Sequence, residues 1–307
     1  MPMMLALLSV ATSCSQEDMP PAVTGSDVVE VTATIGPPPA TRVSQSADNE
    51  YVFDFGDKIH IVGWYGEWNE YAKPWEDATD IWWNDAVSTF NGSRWKTEPY
   101  MRWQNGDELQ HNFLAWCPED FVDPNSNLTN IAISLTGDPE EDDILVAKWS
   151  NTRPDDNTLR LEFEHLLSRF DLHLKFGSEY PDAEIVSVLS WLPRTGTCDL
   201  LNNEFRGENI QAHITYEMYE HPYPASEYDW SGSCITIPMT VLPMRFITIK
   251  CTNAGKEEYI YSHPTNIILK SGERTTLTLY IGKDKVELGS ITAASWETEN
   301  GGNLETE

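Results

Sequence analysis

Tryptophan is concentrated in one stretch of this 307-residue chain, where it could bind sugars. Five of the twelve tryptophans fall within residues 61–84, and Glu67, Asn69 and Glu76 lie between them. An indole ring can stack on a flat ligand while neighbouring carboxylates and amides bind its hydroxyls. A buried indole also stabilises a core, since it removes roughly 150–250 Å² from water. Two interpretations stay open. The tryptophans could hold a loop against a core by packing, or Trp68, Trp75, Trp82 and Trp83 could contact a glycan or host protein.

The first fourteen residues have the pattern of a lipoprotein signal. An apolar run, MPMMLALLSVA, is followed by the small residues Thr12 and Ser13 and then by Cys14. The run is too short to span a bilayer, but it has the length of a signal-peptide core. We therefore predict that residues 1–14 are a lipoprotein signal peptide ending at the lipidated Cys14. Residues 15–27 are polar and contain proline, so we expect them to form a tether.

Catalytic and metal-binding motifs are absent from the sequence. It contains no G-x-S-x-G, no H-E-x-x-H and no P-loop, and its seven histidines are scattered. No cysteine or histidine pair has zinc-ligand spacing. We therefore predict a protein that is not an enzyme and that has no cofactor and no metal. The 49 acidic residues against 20 basic ones give a net charge of −29, which disfavours nucleic acid as a partner.

The four remaining cysteines allow two interpretations. In an exported protein they could form two disulfides, with three possible connectivities. Most of them lie in apolar sequence with the pattern of a strand, which is equally compatible with a free buried thiol. These residues are Cys117, Cys198, Cys234 and Cys251.

Short strands account for most of the chain. Val29, Val31, Ala33 and Ile35 alternate with polar residues, which is the period of a half-buried strand. Similar runs recur every ten to fifteen residues, separated by Gly, Asn, Asp and Pro. Only the spacing in Phe163–Arg169 allows a short helix. The sequence therefore predicts an all-β fold of sandwich or barrel type.

A polar stretch, SNTRPDDNT, interrupts this pattern at residues 150–158 and indicates a domain boundary. We place an N-terminal β-sandwich domain at residues 28–159 and a C-terminal one at residues 160–307. Each is long enough for its own core.

Four sequence segments follow one another in a fixed order along the chain. The first is an aromatic-rich turn that leads into a strand, and the second is a strand with the pattern F-x-A-aromatic-x-P. The third is an F-x-H-hydrophobic segment, and the last is a closing strand pair that ends in tryptophan. They read YVFDFGDKIHIV at Tyr51–Val62, HNFLAWCP at His111–Pro118, LEFEHLLSRFDLHL at Leu161–Leu174, and IILKSGERTTLTLYIGKDKVELGSITAASW at Ile267–Trp296. Together, and in this order, they resemble the fimbrillin family of anaerobic Gram-negative bacteria.

The resemblance implies a fold of two tandem transthyretin-like (Greek-key) β-sandwiches. It also implies a lipoprotein of the outer membrane and cell surface that becomes a fimbrial subunit. In that family an arginine-specific protease removes the first strand, and a strand of the next subunit fills the vacated site. The residues that match are the strand Val29–Ile35, a cut between Arg42 and Val43, and a donor segment Ile291–Trp296.

We therefore predict a fimbrillin-like pilus subunit or adhesin that assembles by strand exchange. Its expected partners are other fimbrial subunits, in a homo- or heteropolymer, outer-membrane lipid through Cys14, and a host or bacterial surface protein or glycan. The alternative is a surface glycan-binding lipoprotein that uses the Trp-rich segment 64–103.

Overall fold

The computed structural model describes residues 27–36, 53–68, 83–105, 108–123, 126–207, 216–220, 227–243, 245–296 and 302–303. Regular structure in these ranges is β-strand, and they contain no α-helix. The all-β prediction is confirmed. None of the described segments forms a helix with the length and apolarity needed to span a bilayer.

The strands are short, as the spacing of turn residues predicts. In chain order they are β1 (Glu30–Ile35), β2 (Lys58–Tyr65), β3 (Trp83–Phe90), β4 (Trp95–Glu98), β5 (Gln110–Cys117), β6 (Ile131–Ser134), β7 (Leu145–Thr152), β8 (Thr158–His165), β9 (Ser168–Phe176), β10 (Glu184–Ser190), β11 (Thr195–Asp199), β12 (Glu204–Gly207), β13 (Tyr216–Glu217), β14 (Tyr219–Glu220), β15 (Trp230–Thr236), β16 (Met239–Val241), β17 (Arg245–Thr252), β18 (Glu258–Ser262), β19 (Ile267–Leu269), β20 (Glu273–Ile281), β21 (Val286–Ser295) and β22 (Gly302–Asn303).

Seven strands form the N-terminal sheet, in the order β1-β8-β7-β5-β2-β3-β4. The sheet curls so that its two edges meet: Val28, just before β1, forms an antiparallel bridge with Arg102, just after β4. One face of the sheet thus encloses a core of its own. Its fully buried members include Ile59, Ile61, Phe113, Leu159 and Phe163.

The opposite face of the N-terminal sheet is covered by a small sheet of order β12-β11-β6. Between them lies a cluster of buried residues that we call the junction core, because both halves of the chain contribute to it. From the first half come Trp64, Leu114, Trp116, Leu128 and Val146. From the second half come Leu166, Leu167, Cys198, Leu200, Ile235, Ile237 and Trp296.

The second half of the chain forms a two-sheet sandwich. A four-stranded sheet, β13-β10-β17-β18, packs on a six-stranded sheet, β14-β15-β9-β20-β21-β22. Apolar residues at alternate positions of β9, β17 and β20 fill the space between them, as expected for strands with one buried face. The pair β16-β19 lies beside this core, to which it contributes Val241, Ile267 and Leu269.

Strand β8 bears on two expectations from the sequence, a short helix and the domain boundary. The helix considered at Phe163–Arg169 is wrong: these residues are the end of β8, a turn and the start of β9. The boundary drawn between residues 159 and 160 falls within β8, which pairs with β1 and β7. Strands β11 and β12 follow β10 in the chain but join β6 of the first half.

All four cysteines in the described ranges are free. Cys198, Cys234 and Cys251 are buried and Cys117 is half-buried. Burial raises the pKa of the Cys117 and Cys198 thiols to about 12, because a thiolate loses its hydration there, and neighbouring carboxylates add to the effect. The structure therefore agrees with the interpretation of these cysteines as free thiols and not as two disulfides.

Candidate functional site: the N-terminal strand and its groove

β1 is an edge strand with one apolar face. Val29 and Val31 are buried and Ala33 and Ile35 are partly buried, all against the core of the N-terminal sheet. Glu30, Thr32 and Thr34 between them are exposed. The burial follows the alternation in the sequence, because successive side chains of a strand point to opposite faces.

β1 runs parallel to β8, with six residue pairs in register from Glu30–Thr158 to Ile35–Phe163. On the other side of β8, β7 pairs only with Phe163–His165. In the described pairings, Thr158–Glu162 therefore has β1 as its one strand partner. Backbone hydrogen bonds also close both ends of this pairing: Glu30 N donates to Asn157 O at 3.0 Å, and Gly36 N donates to Phe163 O at 2.7 Å.

A second segment holds the start of β1 from the opposite side. Val29 N donates to Met101 O at 3.1 Å, and Trp103 N donates to Asp27 O at 2.7 Å. The Trp103 indole donates to Asn157 O at 3.1 Å, which joins this segment to the turn before β8. We call the surface formed by Thr158–Phe163 and Met101–Trp103 the β1 groove.

An ion pair closes the N-terminal end of the groove. Arg102 Nη1 lies 2.9 Å from both carboxylate oxygens of Asp27. The Arg102 guanidinium lowers the pKa of Asp27, mainly through this hydrogen bond, and Arg153 adds a weaker electrostatic contribution. The backbone of Arg102 is fixed in turn by the Asn84 side chain, which bonds its N–H and its C=O at 3.2 Å each.

Removal of β1 would leave an open, partly apolar groove. Burial of Val29 and Val31 contributes roughly 3–6 kcal/mol, at about 1.5–3 kcal/mol for each fully buried side chain. Leu159, Leu161 and Phe163 of β8 would lose the β1 side chains beside them, and one edge of β8 would lose its hydrogen bonds. Such an edge is a template for another strand.

The residues predicted for processing lie outside the described ranges. These are Cys14, Arg42 and Val43. Their predicted roles stay predictions.

The predicted donor segment, Ile291–Trp296, is integrated into the fold in this structure. Ile291 is 9% exposed and packs in the C-terminal sandwich, opposite Leu277 of β20. Trp296 is buried in the junction core and stacks on His165, with the ring centroids 4.0 Å apart. His165 Nδ1 in turn lies 2.7 Å from Asp143 Oδ1.

The described tryptophans of the Trp-rich segment make packing contacts. Trp68 packs on Trp64, with centroids 4.9 Å apart, and its indole donates to Leu201 O at 3.1 Å. Trp95 contacts Phe53, and Trp103 is buried. These positions agree with the loop-packing interpretation. Trp75 and Trp82 lie outside the described ranges, as does the side chain of Trp83, so their predicted ligand contact stays a prediction.

No cluster of metal-ligating side chains occurs in the part of the chain that the structure describes. The site is therefore built from backbone edges, apolar side chains and one ion pair. Sequence reasoning identified β1 but missed Asp27, Arg102 and His165. The only signal for the ion pair in the sequence was Asp27, an acidic residue two positions before the alternating run, since Arg102 lies 75 residues away.

Comparison with known proteins agrees with this architecture. A structure assigned to cell adhesion from Bacteroides uniformis aligns with a TM-score of 0.60 at 15% identity, over 88% of this chain and 98% of that one. One from Bacteroides ovatus gives 0.59 at 14% identity, over 90% and 100%. A fimbrial protein from Bacteroides vulgatus gives 0.54 at 10% identity, over 88% and 99%. At such identities the likeness establishes the fold alone.

The sequence itself establishes the family. No match was found among curated proteins. The model of the fimbrillin-like family, however, matches residues 41–296, most of the chain. The chain therefore belongs to the fimbrillin-like family.

Proposed function

We propose that this protein is a cell-surface fimbrial subunit or adhesin that assembles by β-strand exchange at the β1 groove. The observation that carries the proposal is the position of β1, an edge strand with a buried apolar face on a half of β8 that has no other strand partner among the described pairings. Family membership and the structural likeness to fimbrial and cell adhesion proteins support the same function.

The proposed sequence of events begins in residues 37–50, which connect β1 to the rest of the chain. This segment contains three prolines and the Arg42–Val43 bond, a substrate for an arginine-specific protease. After cleavage, Val29–Ile35 leaves, and the β1 groove exposes Leu159, Leu161 and the edge of β8. A strand from another subunit then satisfies the backbone groups and the apolar positions together.

The donor would be the segment Ile291–Trp296 of a neighbouring subunit. In the structure this segment pairs with β20 and buries Trp296 in the junction core, so donation requires its release from both. The partners are thus other fimbrial subunits, in a homo- or heteropolymer.

Placement at the cell surface would follow from lipidation. Before the cut after Arg42, acylation of Cys14 would anchor the chain in the outer membrane, and residues 15–27 would act as the tether to the first strand. In this proposal the lipidated chain would reach the surface before the protease cuts it.

The test is limited digestion of the folded, non-lipidated chain with an arginine-specific protease, followed by native gels and intact mass. We expect one cut after Arg42, loss of the N-terminal fragment and a ladder of oligomers. The Arg42→Gln variant is the matched control, and it should remain an uncut monomer.

Cleavage after Arg42 that leaves a stable monomer would refute assembly by this route. A glycan array would then test the alternative, a glycan-binding lipoprotein that uses segment 64–103, with Trp82→Ala and Trp83→Ala as controls. Because the described tryptophans of this segment are used in packing, any binding on that array should depend on Trp75, Trp82 or Trp83.

A further inference from the structure

The Asp27–Arg102 ion pair lies at one end of the β1 groove, and no step of strand exchange as proposed above uses it. Arg102 is one of 20 basic residues in a chain that has 49 acidic ones. Arg102 is 55% exposed and Asp27 32% exposed in their side chains, which leaves both accessible to a competing strand.

The position of the guanidinium is fixed by its surroundings. Asn84 on β3 bonds both backbone groups of Arg102, and Val28 forms a bridge with the same residue. Arg153 lies close enough to act on the Asp27 carboxylate as a second positive charge. When Asp27 departs with β1, these two guanidiniums remain at the mouth of the groove.

The groove also fixes the direction of its occupant. β1 is parallel to β8 over six pairs, and its apolar residues face Leu159, Leu161 and Phe163 at the same level. Asp27 precedes Val29, the first of the alternating apolar residues, by two positions. A strand that slips by one residue would turn its apolar side chains outward. A strand that slips by two would keep them inward but move its carboxylate away from Arg102.

The geometry points to Arg102 as a register pin that holds β1 in one register and favours a competing strand that carries the same carboxylate. This inference rests on the proposed strand exchange. The occupant it favours is a β-strand parallel to β8 with apolar residues at alternate positions and a carboxylate two residues before the first of them, as in β1. Gly289 stands at that position before Ile291 of the proposed donor, so the pin favours β1 over that segment. The apolar alternation gives affinity, and the carboxylate on Arg102 chooses among the registers that the alternation alone allows.

The pin is tested first in the intact chain, by hydrogen–deuterium exchange of the β8 amides at residues 158–163. Asp27→Asn and Arg102→Gln should each speed this exchange about two- to fivefold at low salt, the range for exposed ion pairs. The double variant should exchange no faster than the single ones. Lys58→Gln is the matched control, because it removes an ion pair with Glu119 of similar length and exposure and should leave these amides unchanged.

The second test uses the full chain cut once within residues 37–50, with both pieces kept, and labelled peptides of residues 26–36. The native peptide should displace the bound piece. An Asp27→Asn peptide should compete two- to fivefold less well at low salt, with the difference vanishing at high salt. A peptide of reversed sequence should not compete, and an Asp27→Lys peptide should regain affinity for the Arg102→Glu chain.

The outcomes separate this inference from the proposed function. Equal exchange of β8 amides in all variants, or equal competition by the native and Asp27→Asn peptides, would overturn the register pin while strand exchange stands. Failure of every peptide to enter would refute strand exchange, and with it the selection of an incoming strand. Only a charge-dependent, salt-sensitive preference for the native peptide supports the pin.

Discussion

Trp296 offers a direct test of how the two halves of the chain are joined. Its ring lies in the junction core at 3% exposure and stacks on His165 of β8, and its backbone N donates to Gly272 O at 2.9 Å. Substitution with alanine would remove an aromatic side chain that both halves surround. We therefore expect Trp296→Ala to be among the most destabilising substitutions in the C-terminal segment.

The magnitude follows from the buried area. An indole buries roughly 150–250 Å², which at about 25 cal/mol per Å² is worth roughly 4–6 kcal/mol. That is an upper bound, because the unfolded chain already buries part of this surface. Trp→Ala changes in cores cost roughly 3–5 kcal/mol, and we expect a loss of about 4 kcal/mol in the free energy of unfolding. For a slope of roughly 2–3 kcal/mol per M, the urea midpoint falls by about 1.3–2 M.

The assay is urea unfolding followed by far-UV circular dichroism and tryptophan fluorescence. Tyr100→Ala is the matched control, because it removes an aromatic ring that is 53% exposed and should change stability by less than about 0.5 kcal/mol. A Trp296→Ala loss below about 1 kcal/mol, close to that of the control, would refute the view that this residue joins the two halves of the chain through the junction core.

Three further predictions concern packing, thiol reactivity and acid titration. Gly63→Ala should destabilise the N-terminal sheet by roughly 1–3 kcal/mol in urea unfolding, since a Cβ there would lie 2.6 Å from a ring carbon of Phe113. Cys198 should resist iodoacetamide at pH 8 in the native chain, as mass spectrometry would show, because at a pKa of about 12 only about one thiol in ten thousand is ionised. The Arg160 guanidinium holds the pKa of Asp156 at about 2, so its stabilising effect is present above pH 4 and lost as the pH falls through 2. An NMR titration should place the Asp156 midpoint there, and Arg160→Gln should raise it towards about 3.9.

Matched variants make these outcomes decisive. Gly282→Ala should be nearly neutral, because its Cβ would lie 3.6 Å from the nearest atom, so an equal loss at both glycines would contradict the packing argument. Ser93→Cys places a thiol on an exposed turn and should be alkylated under conditions that spare Cys198. An Asp156 midpoint that does not move in Arg160→Gln would show that another group lowers this pKa.

Several features could be predicted from the sequence because they depend on local pattern. The alternation at Val29–Ile35 sets which side chains of β1 are buried, since a strand has a period of two. The all-β class follows from short alternating runs and frequent turn residues. Strand boundaries were less predictable. Residues 235–242 are largely apolar in the sequence, yet the strand pairing stops at Ile237–Pro238, where the proline N cannot join a ladder.

Partners across long separations could not be predicted in this way. Sequence patterning does not show that β1 pairs with β8, that β11 joins β6, or that Arg102 reaches Asp27. Such contacts depend on how whole sheets curl and pack, and the energy that selects them is shared among many side chains.

The amino-acid sequence by itself determined that this is an acidic, all-β chain of the fimbrillin-like family with an apolar first strand. Only the tertiary structure decided what that strand touches. β1 lies parallel to a half of β8 that no other described strand pairs with, and the residues just before β1 are bonded to Met101–Trp103. The last residue of β8, His165, stacks on the ring of Trp296. The physical reason is that the burial period of a strand is local, whereas its hydrogen-bonding edge is satisfied by whichever strand the completed fold brings beside it.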